Sequence, residues 1–377
     1  MDSLIHRTLI SGLVIIALIG GLVFSPIFTG QKAEAANSCQ PITKSVKLIA
    51  GETVVKVAPD NPVTPGAGGR WIHAMTWNGM IPGPVISVDQ GDCLGITVEN
   101  HGVAIHTLDF HAGNGPSNAI GCQDADGVIK PGETVTCTLK ADTPGAFMYH
   151  CAGDKILGIW EHIANGMYGG IVVHPKVETK AKEFYMVFGE IYPDSIKPGK
   201  AQAASFDLTR LKADNPEYIL TNGMAFKYVI KIGTVVPPFV LNGPPLNPPP
   251  PAVQFFNVKP GELTRWYIVN AGPNDDVAFH FISGLISVHD GVGPGGNQLG
   301  TQLTNDETWN IPAGSASVIE STFPEKGIYV GVDHSMKDVV KGGAFIVEAK
   351  DTSTALDHPR GTWVPPTGST HVTDDRP

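Results

Sequence analysis

Charge is scarce in this chain. Only 16% of its 377 residues are Asp, Glu, Lys or Arg, and the balance is acidic, with a formal charge of −10. No stretch gathers Lys and Arg into the basic stripe that a nucleic-acid backbone requires, so nucleic acid is excluded as a partner. The same acidity repels an anionic substrate at long range, and an anion site here needs its own local positive charge, such as a metal. Helical periodicity built from Ala, Glu, Lys and Leu is also weak. No Cys-x-x-Cys-His is present, which excludes a fused c-type haem, and no two histidines are separated by a single residue. The one long apolar run, Leu9 to Phe24, lies near the N-terminus and is followed by the small-residue motif Ala33-Glu34-Ala35. Residues 1–35 read as an export signal or a retained anchor. Either way the rest of the chain works outside the cytoplasm, in a periplasmic or comparable compartment.

Punctuation is what the chain has in quantity: 44 Gly and 31 Pro. Frequent turns between short alternating segments predict an all-β protein. Lys44 to Ala50, Cys93 to Asn100, Lys130 to Lys140 and Thr143 to Tyr149 each read as a turn followed by a strand, or as a strand alone, and Ile171 to His174 closes the unit. The same grammar returns later. Lys259 to Asn270 mirrors the strand that ends at Asn100, Asn310 to Glu320 mirrors 130–140, and Phe323 to Val330 mirrors 143–149. Two copies of one β-sandwich is the economical reading. The division expected is 36–178 and 179–350, with the linker near 175–182, a stiff Pro-rich loop at Pro244–Pro251 and a polar tail over 351–377. Of the five cysteines, Cys39, Cys93, Cys122 and Cys137 are available for disulfides in an oxidising compartment, with three possible connectivities, or stand as buried thiols.

The fifth, Cys151, belongs to a constellation. If Ala104 to His111 is a strand, side chains alternate between its faces. His106 and His111 then face opposite ways, and Asp109 shares the face of His111. In Tyr149-His150-Cys151 the adjacent His and Cys also diverge. If Cys151 joins His106, then His150 joins His111 and Asp109, and two half-sites stand back to back. Trp160-Glu-His162 and the following Met167 complete the first. A His, Cys, His and weak thioether set is that of a blue-copper electron-transfer centre, and a Met would be an odd ligand for zinc. The second half-site has two imidazoles and needs a third from elsewhere.

In these motifs the chain resembles the copper-containing nitrite reductases of the two-cupredoxin family. The resemblance runs through His106-Thr-Leu-Asp109-Phe-His111, Tyr149-His-Cys-Ala152, Trp160-Glu-His162 and Gly166-Met167. It implies two tandem cupredoxin domains, each a Greek-key β-sandwich, and two coppers per subunit. By that resemblance His106, Cys151, His162 and Met167 hold the type 1 copper, and His111 and His150 hold the type 2 copper, with Asp109 as the catalytic carboxylate. Val332-Asp-His334-Ser matches the segment that supplies the third type 2 ligand, His334, across a subunit boundary in a homotrimer. Phe279-His280-Phe-Ile282 matches the segment carrying the catalytic histidine, His280, and the apolar residue over the substrate, Ile282; His289 is the rival for the histidine. Two departures stand out. The segment from Ala152 to Glu161 is longer than the family's usual loop, and Leu285 stands where a second histidine often follows the catalytic one.

The implied activity is one-electron reduction of nitrite to nitric oxide. The electron comes from a small donor protein, a cytochrome c or a cupredoxin, and crosses from type 1 to type 2 copper through Cys151–His150. Two other functions compete. A two-domain multicopper oxidase would need His-x-His pairs, and Ala152 rather than histidine follows Cys151. A non-catalytic blue-copper carrier would have no use for His111, Asp109, His150, His280 and His334.

Overall fold

The computed structural model describes residues 39–59, 69–113, 122, 127–154, 158–195, 203–228, 255–293 and 296–351. The apolar N-terminal run, the Pro-rich stretch Pro244–Pro251 and the tail from 352 onward lie outside the described residues. Among those described, no helix is long and apolar enough to cross a membrane.

The first half contains β1 (Lys44–Ala58), β2 (Arg70–Trp77), β3 (Ile86–Asp89), β4 (Cys93–Asn100), β5 (Asp109–Phe110), β6 (Thr134–Lys140), β7 (Gly145–His150), α1 (Ile159–Ala164) and β8 (Tyr168–His174). The second contains β9 (Lys182–Ile191), α2 (Leu208–Lys212), β10 (Tyr218–Thr221), β11 (Phe256–Val258), β12 (Leu263–Asn270), β13 (Val277–Phe281), β14 (Ile286–Val292), β15 (Leu299–Asp306), β16 (Thr308–Ile311), β17 (Ser315–Thr322), β18 (Gly327–Asp333), α3 (Met336–Val339) and β19 (Ala344–Ala349).

The repeat read from the sequence reappears as sheet topology. The first half has sheets of order β2-β1-β4-β6 and β3-β8-β7-β5. The second has β10-β9-β12-β17-β14-β15 and β11-β19-β18-β13-β16. Pairing directions also match: β1 runs parallel to β4 as β9 does to β12, and β3 runs parallel to β8 as β11 does to β19. Each half is therefore a β-sandwich of the cupredoxin type.

Local chemistry explains the match. The turn into β4 is Asp89-Gln-Gly-Asp92 and the turn into β12 is Lys259-Pro-Gly-Glu262. In both, the glycine (Gly91, φ 96°; Gly261, φ 75°) takes the left-handed conformation such a turn demands. The closing carboxylate reaches back to the first residue's N–H, Asp92 to Asp89 at 2.9 Å and Glu262 to Lys259 at 2.9 Å. Both strands end on an asparagine that organises the next loop. Asn100 Nδ2 donates to the carbonyls of Ala104 and Ile129, and Asn270 Nδ2 to those of Asp275 and Ile311.

Each sandwich has its own core. Leu48, Trp77, Ile96, Phe110, Cys151, Met167 and Ile171 belong to the first. Phe184, Trp266, Phe279, Phe281 and Phe345 belong to the second. A third cluster, with Met148, Tyr168, Val187, Val269 and Val332, draws on both halves. Of the three possible disulfide connectivities, the structure has Cys39–Cys93 and Cys122–Cys137.

Candidate metal centres

The segment expected as one strand from Ala104 to His111 is instead a chain of short contacts. His106 bridges Ile129, Leu108 bridges Cys122, Asp109 and Phe110 pair with β7, Asp109 opposite His150, and the His111 N–H reaches the Met148 carbonyl of β7. His111 follows in a turn. The reason is the loop at 101–105, which Asn100 holds close to β4, so the chain enters the sheet late. The alternation survives over the residues that matter. His106 is fully buried, whereas Asp109 is half-buried and His111 exposed.

Donor atoms of His106, Cys151 and His162 lie within 4.8 Å of one another, all on buried residues. His106 turns Nδ1 toward Cys151 Sγ, 3.6 Å away. Met167 is also fully buried, and its carbonyl accepts the Cys151 N–H at 3.0 Å. His162 comes from α1, a single short helix where the sequence had suggested a plain loop. Gly153 packs its backbone against the His162 ring, and a Cβ there would press to 3.0 Å from Nε2. Residues 155–157 of this long connection lie outside the described residues.

Two groups that the sequence reading missed face the thiol. The backbone N–H groups of Thr107 and Gly153 each donate to Cys151 Sγ at 3.3 Å, and Thr107 Oγ1 accepts the N–H of Ala152 at 2.9 Å. Their only sequence signal is adjacency to His106 and Cys151. Burial pushes the Cys151 thiol up to about 11. Burial, aided by His106, pushes His162 down to about 4, and burial likewise lowers His106 against the opposing pull of Glu52. His162 Nδ1 is buried without a hydrogen-bond partner among the described residues. Neutral imidazoles, an orphaned ring nitrogen and a buried thiol that a soft cation would ionise are what a copper ion fits.

The second set lies one residue away along the chain. Donor atoms of Asp109, His111 and His150 also fall within 4.8 Å of one another. Nε2 of His111 and Nε2 of His150 are 3.0 Å apart, and Asp109 Oδ2 is 3.7 Å from His150 Nε2. His150 donates its Nδ1–H to the Cys151 carbonyl at 3.0 Å, which leaves the Nε2 lone pair directed at His111. Burial lowers His150, which keeps the ring neutral. Two imidazole lone pairs face to face need a proton or a cation between them, so this set also fits a metal.

His334 does not join this set within one chain. It stands exposed after β18, beside His280 of β13, with ring centroids 5.3 Å apart. The two histidines line a cavity of about 440 Å³ with Ala278, Glu307, Thr308 and Ser335. His280 Nδ1 donates to the Glu307 carbonyl at 2.6 Å and lies 3.4 Å from Thr308 Oγ1. Asp333 steadies the neighbouring strand ends by accepting the N–H groups of Ala278 and Ser335 at 3.0 and 3.1 Å. Ile282 follows β13, half-exposed, and donates its N–H to the Val330 carbonyl at 2.8 Å. The rival His289 is engaged elsewhere: its Nε2 lies 3.1 Å from Glu320 Oε2 and its Nδ1 3.3 Å from Thr301 Oγ1.

A third cluster, His174, Glu178 and Glu183, also has donor spacing suited to a cation. Here the positive charge is already present. Arg265 donates to Glu178 Oε2 at 3.0 Å and Glu183 Oε1 at 3.4 Å, and the group ties the linker region to β9 and β12.

Known proteins agree with this chemistry. The multicopper oxidase family pattern matches residues 63–178. A copper-containing nitrite reductase of Neisseria gonorrhoeae is 32% identical over 274 residues, 72% of this chain and 61% of that protein. The chain therefore spans about three fifths of that relative's length. A copper-containing nitrite reductase of Neorhizobium galegae is 30% identical over 291 residues, 73% of this chain and 69% of that protein. Among solved structures, a copper nitrite reductase from Nitrosomonas europaea superposes with a TM-score of 0.66 at 28% identity, covering 84% of this chain and 99% of that one. With a buried thiol–imidazole set, an adjoining imidazole pair and relatives of this extent, the chain belongs to the copper-containing nitrite reductase family.

Proposed function

We propose that this chain reduces nitrite to nitric oxide and water, taking up one electron and two protons per nitrite. The observation that carries the reading is the pair of donor sets on either side of one peptide bond, Cys151 in the first and His150 in the second. His106, Cys151, His162 and Met167 would hold a type 1 copper, and His111 and His150 a type 2 copper. Copper there would supply one-electron redox chemistry at the first set and a positive charge for anionic nitrite at the second, with the covalent Cys151–His150 link as the electron path between them.

The chain's own residues do the rest. The N–H groups of Thr107 and Gly153 stabilise negative charge on Sγ. Asp109, set against His150, is placed to hold a proton at its carboxylate. Because the Glu307 carbonyl takes the Nδ1–H of His280, Nε2 is the atom available to exchange a proton with substrate. Ile282 would restrict how nitrite sits.

His334 is exposed beside His280 and apart from His111 and His150, which supports a site completed by a neighbouring subunit in a homotrimer. The domain division 36–178 and 179–350, export to the periplasm, and a cytochrome c or cupredoxin as electron donor belong to the same proposal. The test is nitric oxide release from nitrite by the purified, copper-loaded oligomer under anaerobic conditions with a reduced dye, together with copper analysis and EPR. Two copper signals per chain and nitric oxide release are expected. One blue signal alone would leave a carrier, and dioxygen consumption without nitric oxide release would leave an oxidase.

A further inference from the structure

Glu52 of β1 stands behind His106, on the side away from Cys151. The His106 ring sends Nδ1 toward Cys151 Sγ and Nε2 toward Glu52 Oε1, 3.5 Å away. That nitrogen is buried and has no hydrogen-bond partner among the described residues. The carboxylate is locked in place. Oε2 accepts the N–H of Val103 at 2.9 Å, and Oε1 accepts the N–H of Ala104 at 3.0 Å. Gly102 makes the approach possible, since a Cβ there would overlap the Glu52 carboxylate. From the other side Asn100 accepts the Gly102 N–H at 2.9 Å. The loop leading into His106 is therefore clamped between two side chains. Burial would raise the Glu52 carboxyl, but the Val103 and Ala104 N–H groups outweigh it and hold it below the usual carboxylate range. Among the described residues no carboxylate pairs in this way with His162.

We propose that Glu52 is a positioning residue of the thiolate copper site: it keeps the His106 proton on Nε2, presents Nδ1 to the metal, and lowers the reduction potential of that site. The inference rests on the copper reading above. A carboxylate facing the far nitrogen fixes the tautomer and makes the ligating nitrogen more basic, and its charge favours the more positive, oxidised ion.

The test measures the reduction potential, visible thiolate-to-copper band and copper retention of the wild-type oligomer and three variants. Glu52→Gln removes the charge. Gly102→Ala keeps every charge but pushes the carboxylate aside. Glu99→Gln removes a neighbouring carboxylate that pairs with Lys47 and His101 instead. Glu52→Gln should raise the potential and weaken copper retention about 10- to 100-fold, Gly102→Ala should move the potential in the same direction, and Glu99→Gln should leave it near wild type. Should Glu52→Gln fail to fold, as judged by thermal unfolding of the metal-free protein, Gly102→Ala decides the matter. A blue wild type whose potential is unmoved by Glu52→Gln, or moved equally by Glu99→Gln, overturns this role alone. A wild type without the thiolate band overturns the copper reading and this role with it.

Discussion

The two halves of the chain share a sheet plan, turn chemistry and loop-organising asparagines, yet they fill their interiors differently. In the first half the core runs out into His106, Cys151, His162 and Met167, buried groups whose charges and lone pairs are incomplete without a cation. In the second it is filled by aromatics: Phe281 and Phe345 lie tilted against Trp266, Phe279 stacks on Phe345, and Phe281 meets Phe345 edge-on. The titratable groups follow the same split. The buried ones around the first site are imidazoles and a thiol. Those of the second half include acids that burial holds toward the neutral form, Glu190 and Asp338 at about 7. One frame thus carries two kinds of buried interior, a metal-ready polar cluster and a dry aromatic plug. The two histidines proposed for chemistry in the second half lie nearer solvent, His280 half-buried and His334 exposed.

The largest effect expected from breaking this contrast is at Cys151. Cys151→Ser should abolish the thiolate band and reduce dye-driven nitrite turnover to background, while the metal-free protein unfolds at a temperature close to wild type. Turnover at the wild-type rate would mean the first set has no part in the reaction. The next is at the second set. Asp109→Asn and His280→Ala should each cut kcat about 10²- to 10⁴-fold with copper content and blue colour retained, as expected for lost proton delivery. Colour lost along with activity would recast them as structural. In the aromatic plug the readout reverses: Trp266→Ala should cost about 3–5 kcal/mol of stability by leaving a cavity, yet leave the spectrum of whatever protein folds unchanged. A shifted copper spectrum in that variant would show that the halves are coupled.

Much of this was legible in the sequence where one residue constrains its neighbours. The divergence of His150 and Cys151 needs only the period of a strand, and the structure assigns His106 and Cys151 to one cluster and Asp109, His111 and His150 to the other. The repeat was legible because the Gly turns and terminal asparagines act locally. Contacts between distant positions were not. No spacing rule brings Glu52 to His106, chooses Cys39–Cys93 and Cys122–Cys137 over the other pairings, or sets the Glu307 carbonyl against His280. The strand expected through 104–111 failed for a related reason: Asn100 and Glu52 hold the preceding loop by side-chain bonds that alternation does not register.

The smallest expected effect tests the acidic character of the second half. Glu190, on β9, is buried and accepts the Tyr192 hydroxyl and the N–H groups of Asn274 and Asp275. Burial first, and then the nearby Asp275 charge, raise its carboxyl from 4.5 to about 7, although those hydrogen bonds oppose the rise. Its folded pKa therefore exceeds its unfolded one. The neutral acid's contribution is fully present below about 4.5 and is lost as pH climbs through about 7. The difference is on the order of 3 kcal/mol at most. Glu190→Gln carries no charge at any pH, so its unfolding free energy should fall less than that of wild type between pH 4.5 and 7.5, as followed by denaturant titration of the metal-free protein. Parallel pH profiles would mean that Glu190 titrates alike in the folded and unfolded states. The buried acids of the second half would then resemble ordinary surface carboxylates, and the contrast with the imidazole-rich first half would rest on the aromatic plug alone.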